Sequence, residues 1–208
     1  MKIEKVNGFW VPSNDVHLND WKQGKPFTQN KCLLKFLDYC KTQDKKFKTV
    51  IDVGAWCGTW AKAMEPYARK IIAFEPDPVH FECLQRNCTI NCVPRREALG
   101  DEHQMISLTE NDFTQAKRVT GAGDIRMTTI DSLEYSNVDL IKIDVEGYEM
   151  KVLKGAEKTL EKSQYLMIEL NNNTKKYGSN NANVEKYLNE NGFRVLIDHW
   201  PDKVFYRT

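Results

Sequence analysis

Residues 49–60 read TVIDVGAWCGTW, and this stretch decides the fold that we predict for the chain. It opens with β-branched residues, which favour a pleated, buried strand. The spacing D-x-G-x-x-x-G follows, from Asp52 through Gly54 to Gly58. Glycines permit a tight turn and a close approach of the backbone to a ligand, and such a turn at the start of a helix presents backbone N–H groups. The stretch predicts the first strand–turn–helix unit of a nucleotide-type fold, the alternative being a buried strand and turn without a ligand.

An acidic residue, Glu75, follows the next apolar segment, residues 71–74. In open α/β sheets, an acid at the end of the second strand, about 20 residues past the glycines, commonly accepts hydrogen bonds from ribose hydroxyls. The glycine spacing differs from the G-x-G-x-x-G of dinucleotide-binding enzymes, whose denser glycines suit a pyrophosphate. The turn and the acid together therefore predict a ribose-containing ligand without a pyrophosphate.

Length and charge set wide bounds on the function. The 208 residues suit one domain with a sizeable core. The 30 basic and 29 acidic residues leave a net charge of +1, which favours neither nucleic acid nor an anionic membrane as a partner. No apolar run reaches the roughly 18 residues of a membrane span, and the first residues lack the apolar segment of a secretory signal. We therefore expect a cytoplasmic protein.

The six cysteines are expected to be reduced thiols in that compartment. Cys83, Cys88 and Cys92 lie close together, but their spacing contains no C-x-x-C pair and no histidine lies between them. Small buried side chains explain them better than a zinc site does. We predict no metal site from this pattern.

The rest of the chain alternates between strand and helix patterns, which favours an α/β fold with a doubly wound, parallel sheet. Residues 1–27 carry scattered aromatics and little periodicity, so we expect an irregular arm that packs over the domain and could line a substrate entrance. Residues 28–208 then form a single domain, with a cofactor half over about 50–101 and a substrate-side excursion over about 102–127.

Inside this domain we expect a third strand over 92–98, then a hairpin or irregular excursion formed by 104–108 and 113–119, and a flexible turn over 121–124. We also expect one helix over 148–162 and a long loop over 171–183. A terminal strand pair, 193–197 and 203–206, is short enough to be antiparallel.

A second strong strand pattern, residues 138–143, ends in Asp144-Val145-Glu146-Gly147. With IKIDVEGYE at 141–149 added to the turn and to Glu75, the chain resembles the FkbM-type S-adenosylmethionine-dependent methyltransferases of class I. The likeness covers about residues 50–170 and includes ALGD at 98–101, TIDSL at 129–133 and VLKGA at 152–156. It implies a Rossmann-like sheet of seven strands, mostly parallel, with one antiparallel strand near the C-terminus.

The resemblance and the residue chemistry together suggest how S-adenosylmethionine is bound. Glu75 would accept the ribose hydroxyls, and backbone N–H groups of the turn would face the methionyl and ribose part. By resemblance, Ala98 and Leu99 would border the adenine, with Pro76 on its other side. The expected cofactor-binding residues are Asp52, Gly54, Ala55, Trp56, Gly58, Thr59, Glu75, Pro76, Ala98, Leu99 and Asp144.

The reaction implied is methyl transfer to a hydroxyl of a sugar, glycan or small metabolite. A hydroxyl needs a group that accepts its proton, and the candidates are Asp144, Glu146 and His199. Each has a structural alternative: Glu146 can complement the positive end of a helix, and His199 can be an ordinary turn histidine. Glu169 can be structural or line the pocket, and Lys142 is expected to be surface-exposed or ion-paired.

Three other functions stay open at this point. A nicotinamide-dependent oxidoreductase shares the turn and the acid but not the glycine spacing. An amino-directed nucleic-acid methyltransferase usually carries an Asn/Asp-Pro-Pro-aromatic run where this chain has residues 144–147. A methyltransferase-like binding module without catalysis is the third. A small-molecule or glycan acceptor is the expected partner, whereas the oligomeric state and the assistance of a metal are not predicted.

Overall fold

The computed structural model describes residues 2–27, 30–109 and 119–208. The strands are β1 (Ile3–Val6), β2 (Phe9–Pro12), β3 (Phe47–Val53), β4 (Ala68–Phe74), β5 (Cys92–Arg95), β6 (Ala98–Leu99), β7 (Gln104–Leu108), β8 (Val119–Thr128), β9 (Val138–Ile143), β10 (Tyr165–Glu169), β11 (Phe193–His199) and β12 (Asp202–Arg207). The α-helices are α1 (Leu18–Lys22), α2 (Lys31–Thr42), α3 (Thr59–Met64), α4 (Pro78–Asn87), α5 (Glu149–Lys154), α6 (Glu157–Leu160) and α7 (Asn181–Glu190). Short 3-10 helices cover Asp131–Leu133 and Asn172–Tyr177.

A seven-stranded sheet in the order β11-β12-β10-β9-β3-β4-β5 forms the centre of the protein. Strands β10, β9, β3, β4 and β5 pair in parallel, whereas β12 runs antiparallel to both β10 and β11. The predicted fold class is confirmed, including the single antiparallel strand near the C-terminus. The parallel strands end at one common edge of the sheet, where ligands of such folds bind.

Both faces of this sheet are covered by helices, as the alternation of side chains along the strands requires. On β3, Ile51 and Val53 belong to one buried cluster together with residues of α5, α6 and α7. Val50 points to the other cluster, which contains residues of α2, α3 and α4. Buried residues on two faces explain why the strands read as nearly continuous apolar runs.

The N-terminal segment is more regular than expected. Strands β1 and β2 form an antiparallel hairpin and α1 follows them, so the prediction of an irregular arm is wrong. The hairpin is fixed to the end of α4, because Trp10 N–H donates to Asn87 Oδ1 and Asn87 Nδ2 donates to Trp10 O, each at 2.8 Å. Val11 and Trp21 are buried in a small cluster against which Trp56 of the β3–α3 turn packs.

The middle of the chain forms a second, three-stranded sheet in the order β6-β8-β7. Residues 121–124, expected to be a flexible turn, lie within β8, so that expectation is wrong. Gly123 packs closely in this strand, since a Cβ there would lie 2.0 Å from Ser107 Oγ. The strand expected over 92–98 is divided between β5 and β6. The run expected over 113–119 lies outside the described residues except for Val119, where β8 begins.

The helix expected over 148–162 is divided into α5 and α6 at Gly155. The backbone of Gly155 packs against Gly100, and a Cβ on Gly155 would lie 1.8 Å from the Gly100 carbonyl oxygen. The Asp131 carboxylate then accepts hydrogen bonds from the N–H groups of Lys158 and Thr159, each at 2.9 Å, in the first turn of α6. The break therefore results from contacts with residues that are distant in sequence. Farther along, the 3-10 helix Asn172–Tyr177 interrupts the predicted loop over 171–183.

The cysteines depart from the expectation of six free thiols. The structure pairs Cys88 with Cys92 in a disulfide, whereas Cys32, Cys40, Cys57 and Cys83 are free and buried. Among the described residues, no helix combines the length and the apolar character that crossing a membrane would need.

Gly155→Ala should lower the free energy of unfolding by about 1–3 kcal/mol, because the added methyl group would overlap the backbone of Gly100. Urea unfolding followed by circular dichroism measures this. Gly121→Ala is the matched control, since a Cβ at Gly121 meets no atom within 4 Å. The control should change stability by less than about 0.5 kcal/mol, and equal losses in both variants would contradict the close packing at Gly155.

Candidate functional site

A cavity of about 380 Å³ lies at the edge where the parallel strands end. Its walls come from the ends of β3, β4, β9 and β10, from the start of β12, and from the N-terminal segment. This volume falls within the range of about 300–1,000 Å³ that is usual for small-molecule sites. The position and the size identify it as the candidate functional site.

Glu75, which follows β4, is held in a fixed orientation at this cavity. Its Oε2 accepts a hydrogen bond from Trp56 N–H at 2.8 Å, and its Oε1 accepts one from Asp77 N–H at 2.9 Å. Glu75 is only 6% exposed, yet it lines the cavity. A carboxylate has about four acceptor positions, so two protein donors leave room for a pair of ligand hydroxyls.

The backbone N–H groups of the turn after β3 form hydrogen bonds within the protein. The N–H groups of Gly54 and Ala55 donate to the Phe74 carbonyl, at 3.0 and 2.9 Å, and that of Gly58 donates to Ala55 O at 2.8 Å. With Trp56 N–H bound to Glu75, these four amides all have partners inside the protein. Binding of a ligand by these amides stays a prediction, and in this structure their hydrogen bonds shape the turn and orient Glu75.

The two glycines of the turn are required by packing. A Cβ on Gly54 would lie 1.8 Å from the backbone oxygen of Asp144, and one on Gly58 would lie 2.8 Å from Leu84 Cδ1. Both residues also have positive φ values, 74° and 88°, which favour glycine. Gly54 thus brings the turn against the end of β9, whereas Gly58 brings it against α4.

Lys142 and Asp52 form a buried ion pair beneath the cavity. Lys142 Nζ lies 3.1 Å from Asp52 Oδ1 and 3.6 Å from Asp144 Oδ2, and it donates a hydrogen bond of 2.6 Å to Gly54 O. Burial lowers the pKa of Lys142, but the carboxylates of Asp52 and Asp144 outweigh this effect and raise it, so the ammonium stays charged. Of the two alternatives expected for Lys142, the ion pair is confirmed and surface exposure is wrong, since the residue is buried.

Three carboxylates meet where β9 and β10 end. Asp144, Glu146 and Glu169 each place an oxygen within 4.8 Å of the others. Asn171 Nδ2 donates to Glu169 Oε2 at 2.7 Å, and Asn173 Nδ2 donates to Glu146 Oε2 at 2.9 Å. Oxygen ligands of this kind suit Mg²⁺ or Ca²⁺, so this group is the part of the described site that could hold a metal.

Two acids at this end of the cavity have raised pKa values. Burial raises the pKa of Glu169 to about 9, and the neighbouring Asp144 and Glu146 add to the rise. Burial also raises the pKa of Asp202 to about 6, with a further contribution from Asp144, while the hydrogen bond from Asn30 opposes it. Glu169 therefore keeps its proton at neutral pH.

The N-terminal segment supplies an aromatic wall. Trp21 and Phe27 line the cavity with His17, and the ring centroids of Trp21 and Trp56 lie 5.7 Å apart. The aromatics of this segment therefore reach the site. The number of aromatic residues in 1–27 was the sequence signal for this role, but it did not show which of these residues reach the site.

Most of the predicted site residues lie together. Those that line the cavity are Gly54, Ala55, Trp56, Thr59, Glu75, Pro76, Ala98, Leu99, Asp144 and Glu146. Asp52 is fully buried beneath it, and Gly58 contacts α4 instead. His199, at the end of β11, is not among the residues that line the cavity. Sequence reasoning left out Asn30 and Asp202, which do line it.

The sequence profile described as "Methyltransferase FkbM domain" matches residues 52–195. The chain belongs to this family. The match begins within β3 and ends within β11, so it includes Glu75 and the three carboxylates but leaves out the N-terminal hairpin and β12. The family expected from the sequence is thereby confirmed.

One curated relative and two solved structures illustrate the similarity. The hexuronic acid methyltransferase AglP of Haloferax volcanii is 29% identical over 130 residues, which are 57% of this chain and 54% of that protein. The chain therefore matches about half the length of this curated relative. The FkbM methyltransferase of Methylobacillus flagellatus KT is 17% identical, with a TM-score of 0.55, over 77% of this chain and 43% of that one.

The second structure is the magnesium protoporphyrin IX methyltransferase ChlM of Synechocystis PCC 6803, solved with bound SAM. It is 10% identical, with a TM-score of 0.55, over 94% of this chain and 93% of that one. At such identities the two structures support the fold alone.

Glu149 is a buried acid close to the site. It is fully buried, its Oε1 accepts a hydrogen bond of 2.8 Å from Gly147 N–H, and its Oε2 has no hydrogen-bond partner within the part of the chain that the structure describes. Burial raises its pKa from 4.5 to about 7, against the opposing effect of backbone donors. The folded protein holds this proton more tightly than the unfolded chain, so this residue makes stability fall as the pH rises from 4.5 through 7.

Glu149→Gln should remove this pH dependence while keeping an acceptor for Gly147 N–H. Relative to the variant, the natural protein should lose on the order of 3 kcal/mol of unfolding free energy as the pH rises from below the ordinary pKa to above the raised one. Urea unfolding at a series of pH values measures the difference, with the exposed Glu161→Gln as control. Parallel stability curves for Glu149→Gln and the natural protein would contradict the assignment.

Proposed function

We propose that the protein transfers a methyl group from S-adenosylmethionine to a hydroxyl of a sugar, glycan or small metabolite. The observation that carries the proposal is Glu75, held by two backbone amides at a cavity that Asp144 also lines. A ribose diol suits a carboxylate oriented in this way. The family of the chain supports the methyl transfer, and the name of the curated relative, a hexuronic acid methyltransferase, supports a sugar as acceptor.

The residues present fit this cofactor. Glu75 would hold the ribose, Pro76 and Leu99 would border the adenine, and the methionyl end would extend toward Asp144 at the end of β9. When bound, the cofactor supplies a methyl group that is already activated by a positively charged sulfur. The chain's own task is therefore mainly to align the acceptor hydroxyl with that methyl group, which can account for a large part of the rate.

Asp144 is the proposed acceptor of the hydroxyl proton. Its side chain is 40% exposed, and Lys142 Nζ lies 3.6 Å from its Oδ2, so the carboxylate is oriented from below and accessible from the cavity. Glu169 is protonated at neutral pH because burial and Asp144 raise its pKa to about 9, which makes it a poorer base. Proton acceptance by a positioned side chain typically contributes about 10²–10⁴-fold to the rate.

Isothermal titration calorimetry with S-adenosylmethionine and, separately, with NAD tests the proposed cofactor. Binding of S-adenosylmethionine but not NAD is the expected result. Binding of NAD alone would overturn the proposal in favour of an oxidoreductase. A folded protein that binds neither would overturn it in favour of a binding module without catalysis.

Glu75→Ala should weaken S-adenosylmethionine binding at least about tenfold, equivalent to about 1.4 kcal/mol, because one good charged hydrogen bond is lost. Calorimetry measures the change in affinity. Glu82→Ala is the matched control, since Glu82 is an exposed carboxylate on α4 that pairs with Arg86. Unchanged affinity in Glu75→Ala would remove Glu75 from the ribose role.

A further inference from the structure

His80 is a buried histidine next to Glu75 at the wall of the cavity. It lies in the first turn of α4, where Asp77 caps the helix by accepting hydrogen bonds from the N–H groups of Val79 and His80, each at 2.9 Å. His80 is 4% exposed and Glu75 is 6% exposed, and both residues line the cavity. The start of α4 therefore holds an imidazole beside the carboxylate that is proposed to bind ribose.

The two ring nitrogens of His80 have different surroundings. Nδ1 lies 3.8 Å from Glu75 Oε1 and 3.7 Å from Asp77 Oδ1. Nε2 is buried and has no hydrogen-bond partner among the residues that the structure describes. The two carboxylate oxygens favour the proton on Nδ1, and in a neutral imidazole the other nitrogen is then an acceptor. Within the described part of the chain, Nε2 is therefore an acceptor that lacks a donor.

Trp56 carries a second ring nitrogen of this kind. Its backbone N–H donates to Glu75 Oε2, whereas its indole Nε1 is buried and finds no hydrogen-bond partner in the described ranges. The Trp56 and His80 rings pack edge to face with their centroids 6.2 Å apart, and both residues line the cavity. A buried polar group without a partner lowers stability, and an indole nitrogen is a donor only. A ligand that satisfies both rings would offer a donor and an acceptor.

We propose that His80 is a cofactor-binding residue, and that its Nε2 accepts a hydrogen bond from a donor of the adenosine part of S-adenosylmethionine. This inference rests on the proposed function. Adenosine has the required chemistry, because its ribose hydroxyls and exocyclic amine are donors and its ring nitrogens are acceptors. Since Glu75 and His80 are neighbours, a ribose held by Glu75 brings the adenosine to the imidazole.

The alternative is a structural role, in which Nδ1 only orients the carboxylates of Glu75 and Asp77. The two roles use different ring nitrogens, so substitutions can separate them. The amide of glutamine lies as many bonds from Cβ as Nε2 does, and the amide of asparagine lies as many as Nδ1. Glutamine therefore keeps an acceptor near the position of Nε2, whereas asparagine keeps one near Nδ1 and phenylalanine keeps only a ring.

Calorimetry with S-adenosylhomocysteine and the full chain tests the proposal. His80→Phe and His80→Asn should each weaken binding about three- to tenfold, because a hydrogen bond to the ligand is lost, whereas His80→Gln should stay within about twofold of the natural protein. Gln85→Ala, at an exposed position of α4, is the control and should leave the affinity unchanged. Unchanged affinity in His80→Phe, or a loss in His80→Gln without a loss in His80→Asn, would overturn the proposal.

Analogues of S-adenosylhomocysteine identify the donor. One lacks the 2′-hydroxyl, one lacks the 3′-hydroxyl, and one carries hypoxanthine, which has an oxygen in place of the exocyclic amine of adenine. With the analogue that lacks the donor bound by His80, His80→Phe should cost less than about twofold in affinity, while the other two analogues show the full loss. An equal loss with all three analogues would overturn the proposal, since His80 would then act only through the fold or through Glu75.

The same measurements distinguish this inference from the proposed function. Absence of S-adenosylhomocysteine binding by the natural protein would count against the proposed function itself. Binding by the natural protein that His80→Phe leaves unchanged would count against the inference alone. Circular dichroism checks that each variant is folded, and if His80→Phe does not fold, the contrast between His80→Asn and His80→Gln decides.

Discussion

The buried ion pair between Lys142 and Asp52 is the interaction on which the site depends. The two residues are register partners on the adjacent central strands β9 and β3. The same ammonium binds Gly54 O in the turn and lies 3.6 Å from Asp144 at the end of β9. One side chain therefore connects the strand pair, the turn that orients Glu75 and the acid proposed to accept a proton. Removing one partner of a buried ion pair destabilises the fold, because the other charge is then left uncompensated.

This arrangement gives the two sides of the cavity different characters. On the side of β3 and β4, the positions of the polar groups are fixed by hydrogen bonds inside the protein, as the two amides on Glu75 show. On the side of β9, β10 and β12, burial and then the neighbouring Asp144 raise the pKa of Glu169 and of Asp202. The first side suits the ribose diol of the proposed cofactor.

The sequence predicted the parts of this site that follow from local pattern. Glu75 and Asp144 each follow an apolar strand, and parallel strands bring such residues to one edge. Contacts between distant residues could not be predicted in the same way. Gly155 divides a helix where it packs on Gly100. Gly123 lies in β8, which pairs with β7, at a position where Ser107 leaves no room for a Cβ, although glycines in sequence favour turns. Asp202 has no local signal, since only its pairing with Glu169 brings it to the cavity.

A double-mutant cycle of unfolding free energies tests this account most directly, because it measures the coupling energy between Asp52 and Lys142. Asp52→Asn and Lys142→Met, made singly, should each cost about 3–5 kcal/mol, because each removes one member of a buried charge pair. The double variant should recover much of this loss, with a coupling energy of at least about 2 kcal/mol. Additive losses, with a coupling energy near zero, would contradict the claim that this ion pair holds the site together.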